Sequence, residues 1–184
     1  MISISQTTGQ PEIALRGAMQ AILRQGESFL QNLSGETYTQ ACPEAFGATM
    51  GAHYRHCLEH FEAIVEPAGE GLVDYDARKR DRLVETDRDE ALRRTQLLRE
   101  KISALGEEDL SREVKVRCRV SEREEENPLV ASSLAREGMY GVIHAVHHFA
   151  LIKVMAGLRK IPVPEDFGMA PSTAHYRRQQ AGAE

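Results

Sequence analysis

The chain has no tryptophan and only five Phe and five Tyr, so its core has to be built mainly from aliphatic side chains. It has no CxxC pair. The three cysteines, Cys42, Cys57 and Cys118, are odd in number and far apart, which speaks against a disulfide framework or a cysteine-based zinc site. A reducing cytoplasm is the expected setting. Basic residues are not in surplus: 23 Lys and Arg stand against 28 Asp and Glu, for a formal net charge of -5. Nucleic acids and acidic membranes need a basic face, so neither is an expected partner. No GxSxG, P-loop, HExxH or GxGxxG is present, and the chemistries tied to those motifs receive no support. Met1 to Gln10 has neither a basic start nor an apolar run, so no signal peptide is expected. The most apolar stretch, Met139 to Leu158, contains His144, His147, His148 and Lys153 and is not read as membrane-spanning.

The 184 residues, 41% hydrophobic and 28% charged, suit one globular domain over 1–184. Periodicity predicts four long helices. The first covers 11–33, with Ile13, Ala14, Ala18, Ala21, Ile22, Phe29 and Leu30 at helical spacing and Pro11 in its first turn. A loop with Gly35, Pro43 and Gly47 follows, and the second helix runs from about Ala48 to Glu66, stopped by Pro67 and Gly69. Residues 67–85 form a polar connection long enough for a crossover. The third helix starts at Thr86 or Asp87 and ends before Gly106, with Ala91, Leu92, Leu98, Ile102 and Leu105 as its apolar stripe. Val114, Val116, Cys118 and Val120 then alternate with charged residues, a period of two that marks a strand. Glu122 to Glu126 reads as an acidic turn, and Leu129 and Val130 as a short strand pairing back. The fourth helix begins near Ser132 or Ser133 and reaches about Leu158. Pro162, Pro164 and Pro171 give residues 161–184 the character of an extended tail.

Six of the seven histidines lie in two clusters. His53, His56 and His60 share one face of the second helix, continued by Ile64, because residues three, four and seven apart stack along a helix. On the fourth helix His144 and His148 are four apart, on a stripe through Glu137, Gly141, Leu151 and Met155 that points inward; His147 is turned aside, and His175 is alone in the tail. An HxxxH pair presents two imidazoles to one ion, and a third from the facing helix leaves a position for water or substrate. Imidazole suits zinc, nickel, copper and iron alike. The competing readings of the same spacing are a buried polar network and a solvated histidine face that responds to pH. Cys57, about 100° round the helix from His56, reads as packing. Glu59 and Glu62 read as solvent-facing or as caps of the neighbouring loop. His60 and Glu137 are candidates for orienting a ligand from behind. Arg78, Lys79, Arg80 and Arg82 read as a solvated loop rather than an anion site, because acids flank them.

The segments MGAHYRHCLEHFEAI and AREGMYGVIHAVHHFALI, followed by IPVPEDFGMAPST, resemble the DinB-like family of metalloenzymes, in chain order over most of the length. The resemblance implies an all-α, up-up-down-down four-helix bundle, often dimeric, with one metal near an end of the bundle. The strand region between helices three and four is not a general feature of that family. Matched residue by residue, the implied ligands are His144 and His148 on the fourth helix and His56 on the second, with His53 and His60 one turn to either side. The family includes enzymes that work with low-molecular-weight thiols, so the implied function is a metal-dependent enzyme. Its divalent ion, zinc or nickel, would have an open position that activates water or a small thiol for hydrolysis or transfer on a small molecule. The alternative is a non-catalytic metal-binding or hemerythrin-like bundle. A di-iron site needs bridging carboxylates, and this chain has no ExxH on facing helices.

Overall fold

The structure is a computed structural model that describes residues 11–123 and 127–182. Its long helices are α1 (Pro11–Gln31), α3 (Met50–Val65), α5 (Arg88–Ala104) and α7 (Leu134–Leu158). Short α2 (Gly35–Thr39), α4 (Arg82–Thr86) and α6 (Glu107–Ser111) lie in the connections, with a 3-10 turn at Pro43–Ala45 and a final α8 (Pro171–Ala181). Each long helix after the first starts at a side-chain cap that satisfies otherwise orphaned amides. The Thr49 hydroxyl accepts from the Ala52 amide at 2.9 Å. Asp87 accepts from Asp89 and Glu90, and Ser133 accepts from Arg136. Thr86 is therefore not the cap of α5.

The four long helices form a bundle in which α1 and α3 each pack against both α5 and α7. Side-chain contacts set the directions. Arg16 reaches the Leu105 carbonyl and Arg88 the Leu30 carbonyl, so α1 and α5 are antiparallel. Glu62 pairs with Arg94 and Glu66 with Lys101, so α3 and α5 are parallel. His53 meets His148 while Ile64 meets Gly141, so α3 and α7 are antiparallel. Leu15 and Met19 sit at Gly138 while Phe149 sits at Gly26, so α1 and α7 are parallel. Along the chain the order is up, down, down, up. This corrects the up-up-down-down order that the family resemblance implies. The reason is the connection between Val65 and Arg88, which crosses back along the bundle and returns α5 in the direction of α3.

The same connection carries β1 (Leu72–Asp74), which pairs in parallel with β2 (Glu113–Arg117); β2 pairs antiparallel with β3 (Leu129–Ser133). The expected hairpin is present, widened to three strands. Val114 and Val116 are buried between exposed Glu113 and Lys115, as the alternation requires. The strand ends at Arg117, which leaves Val120 outside it and exposed. Of the acidic turn, residues 124–126 lie outside the described residues.

Buried Met19, Leu23, Leu30, Leu58, Phe61, Ile64, Leu98, Ile102, Ile152 and Met155 fill the bundle. Ile13, placed in the apolar stripe by periodicity, is 47% exposed. Beyond α7, Phe167 is fully buried and stacks on both Phe29 and Phe149 at 4.9 Å. The extended tail is therefore corrected: 171–181 is helical, with Pro171 at the first helical position, where a missing amide hydrogen costs nothing. Among the described residues α7 is also the one helix long and apolar enough to cross a membrane by length and composition, although one face of it packs in the bundle.

Gly51 lies where α3 passes α4. A Cβ there would overlap the Glu85 carbonyl and meet the Tyr38 ring at 2.9 Å. Gly51→Ala is expected to destabilise the fold by about 1–3 kcal/mol. Thermal unfolding checks this, and an unchanged melting temperature contradicts the close approach.

Candidate metal centre

The α3 and α7 histidines meet in one cluster. The spacing puts His53, His56 and His60 on one stripe, and the antiparallel crossing turns that stripe onto His144 and His148. Ring centroids lie 4.1 Å apart for His60 and His144, 4.5 Å for His56 and His60, and 4.9 Å for His56 and His144. His56, His60 and His144 each offer a ligand atom within 4.8 Å of the others, so these three could hold a metal ion. His148 is 4.6 Å from both His56 and His144, and the exposed His147 makes its ring contact with His148, at 5.1 Å. His175 is on α8 with Gln179 as its partner, away from the cluster.

Hydrogen bonds decide which nitrogens are free. His60 donates from Nδ1 to the His56 carbonyl at 2.8 Å, which leaves its Nε2 lone pair available. His148 and His53 share a hydrogen bond between their Nδ1 atoms at 3.0 Å, and with His148 as its donor the Nε2 lone pair of His148 is open. His144 Nε2 is buried with no partner. A buried nitrogen without a partner costs stability unless something occupies it. The donor set therefore fits a divalent ion: neutral imidazoles, a free nitrogen on each of three, and a ring of aromatic neighbours. His56 differs, because Arg78 donates to its Nδ1 at 2.6 Å.

Burial pulls the imidazoles down from the ordinary value, His144 to about 4 with help from His147 and Arg78, and His148 to about 3 with help from neighbouring histidines. Burial also outweighs the favourable carbonyl contact of His60, which falls to about 3. His56 is lowered by burial first and then by His60 and Arg78. All four are neutral near pH 7, the form that ligates.

Tyr75, from the end of β1, stacks on His60 at 5.0 Å, and Tyr140 stacks on His144 at 5.4 Å. Tyr75 donates to Glu137 at 2.7 Å and Ser132 donates to the other carboxylate oxygen at 2.6 Å. Burial and the Glu137 carboxylate hold the Tyr75 hydroxyl well above its usual range. Glu137 thus reaches the cluster through Tyr75 and not by holding a histidine. Cys57 is buried packing, as its angle on the helix implied. Glu59 is buried and caps the neighbouring loop, the second of its two expected readings. It accepts from the Asp81 amide at 2.8 Å and pairs with Arg55 and Arg78. Tyr75 and Tyr140 are neighbours of the cluster that sequence reasoning missed, and Arg78, read as part of a solvated loop, lies against His56. Tyr140, four before His144, was within reach of the spacing argument.

No family model matches the chain. A curated protein, FK506-binding protein 5 of Rhizopus delemar, is 30% identical over 109 residues. That alignment covers 59% of this chain, and the chain spans only 28% of the length of that protein. The crystal structure of a DinB-like protein from Bacillus cereus matches with a TM-score of 0.51 at 17% identity, over 80% of this chain and 94% of that one. The fold is DinB-like. In this DinB-like bundle the histidine cluster lies between the second and fourth long helices, α3 and α7, beside the added sheet.

The cluster ties stability to pH. The folded-state values lie below the unfolded value of about 6.5, so below that pH the unfolded chain binds more protons than the native one. Stability is full above about pH 6.5 and falls as pH is lowered toward the native values. The urea midpoint of the metal-free protein is expected to drop between about pH 7 and about pH 5. A midpoint that stays level over this range contradicts a buried neutral cluster.

Proposed function

We propose that this DinB-like chain is a metal-dependent enzyme that holds one divalent ion, zinc or nickel, on His56, His144 and His148. The observation that carries this reading is the partnerless, buried His144 Nε2 facing the α3 histidines. Held by these histidines, a divalent ion would supply Lewis acidity, so that water or a small thiol could act as a nucleophile at neutral pH for hydrolysis or transfer. The chain's own residues do the rest. His53 fixes the His148 ring through their shared hydrogen bond. Tyr75 and Tyr140 wall the cluster with flat apolar faces that limit water. His60, anchored on the His56 carbonyl, stands beside the ligands with one nitrogen free for proton transfer.

One observation favours a variant of this ligand set. His60 has a free nitrogen while the His56 lone pair is taken by Arg78, and the His60 ring lies 4.1 Å from that of His144. In the variant, His60 replaces His56. A di-iron carrier is disfavoured, because the two buried carboxylates nearest the cluster are already engaged, Glu59 by arginines and an amide and Glu137 by two hydroxyls.

We further propose a homodimer in the cytoplasm, acting on a small molecule, with a low-molecular-weight thiol as one candidate class, and binding neither nucleic acid nor membrane. Met139, Ile143, Val154 and Leu158 form an exposed apolar face of α7 for a second copy to cover.

Elemental analysis and melting curves test the site. Metal is expected to raise the melting temperature of the wild type. His144→Ala and His148→Ala are each expected to abolish both the bound metal and the rise, while His147→Ala and His175→Ala keep them. Loss of metal on His60→Ala with full occupancy on His56→Ala selects the variant set. Full occupancy in His144→Ala sinks the reading. Light scattering tests the dimer, and a 20.5 kDa species at all concentrations contradicts it.

A further inference from the structure

Arg78 follows β1 and lies against the histidine cluster, with its side chain largely buried. A guanidinium carries only donors. At 2.6 Å it therefore donates to His56 Nδ1 and takes the one lone pair that a neutral imidazole has. The His56 proton must then sit on Nε2. Coordination through Nδ1 would need the lone pair that Arg78 holds. Coordination through Nε2 would need a proton on Nδ1, aimed at the Arg78 donor. By either route the Arg78 contact and metal ligation by His56 exclude each other, and the like charges of metal and guanidinium reinforce the exclusion.

Arg78 does not leave the site when it lets go of His56. Its Nε is anchored on the Tyr75 carbonyl at 2.6 Å, and its Nη1 lies 3.4 Å from Glu59. Glu59 meets the guanidinium through that one nitrogen and also serves Arg55 and the Asp81 amide. The other buried carboxylate, Glu137, is taken by Tyr75 and Ser132. With a divalent ion on neutral imidazoles, the site keeps an excess of positive charge and a guanidinium whose carboxylate partner, Glu59, is shared with Arg55 and the Asp81 amide.

We propose that Arg78 is the anion-recognition residue of this site, held on His56 until a metal ion takes that imidazole and then free to pair with a carboxylate of the substrate. The substrate class is a small molecule with one group that reaches the metal and a separate carboxylate for the bidentate fork. This rests on the reading of His56 as a ligand.

The experiment uses the full chain loaded with Co2+, whose visible band reports occupancy before any anion is added. Two probes of equal length follow, succinate and succinamate, which differ by one carboxylate. Arg78→Met is expected to bind Co2+ about tenfold tighter than the wild type, since it removes a charged hydrogen bond that competes with the metal. The loaded wild type is expected to hold succinate about tenfold tighter than succinamate, by the same kind of bond, whereas Arg78→Met holds the two alike. Arg78→Lys keeps the charge without the planar fork and is expected to lose most of the preference. It carries the test if Arg78→Met does not fold. Equal affinities in the wild type, a preference that survives in the variants, or no gain in Co2+ affinity overturns the proposal. A wild type without any Co2+ band overturns the metal reading itself and this proposal with it.

Discussion

At Gly141 the helices α3 and α7 come closer than side chains ordinarily allow: a Cβ there would lie 2.8 Å from Ile64 and 3.3 Å from Phe61. The missing side chain lets the two backbones approach, and the approach brings imidazoles from opposite helices to within hydrogen-bonding and ligating reach. One turn further along α7, His144 meets His60 and His56, and two turns along, His148 meets His53. A wider spacing of the helices would leave the same residues as two separate stripes. The sheet depends on the same approach, since β3 runs directly into α7 and positions Ser132 and Glu137 over the Tyr75 hydroxyl.

Five imidazoles packed together have to be neutral, because protonating one beside the others and beside Arg78 is unfavourable in a poorly solvated site. That neutrality is bought with unsatisfied valence, seen in His144 Nε2. The surrounding charges are organised to keep it. Glu59 gathers Arg55 and Arg78 on one side, and Glu137 is capped by hydroxyls on the other, so neither carboxylate touches a histidine to draw a proton onto it.

Much of this was legible in the residues. Helical spacing located the four long helices and both histidine stripes, because the stripes coincide with the apolar faces that the bundle must bury. Alternation at Val114 and Val116 located β2. What escaped was non-local. Leu72–Asp74 is three residues long and is a strand only because β2 lies beside it. Arg78 sits in a stretch of mixed charge that reads as solvated, and only the fold of the 67–87 connection carries it onto His56. Glu59 read as solvent-facing or as a loop cap; it is a buried cap, and three donors at separate chain positions make its burial tolerable. The helix directions depended on how far the 67–87 connection travels, which no local pattern encodes.

Phe167 closes a gap between Phe29 and Phe149, and Gly168, at a φ of 65°, lets the chain lie directly on the α7 backbone. All four long helices are synthesised before this residue. The space between α1 and α7 is filled only when Phe167 packs against both. The segment after α7 therefore works as a clasp that joins the first long helix to the last.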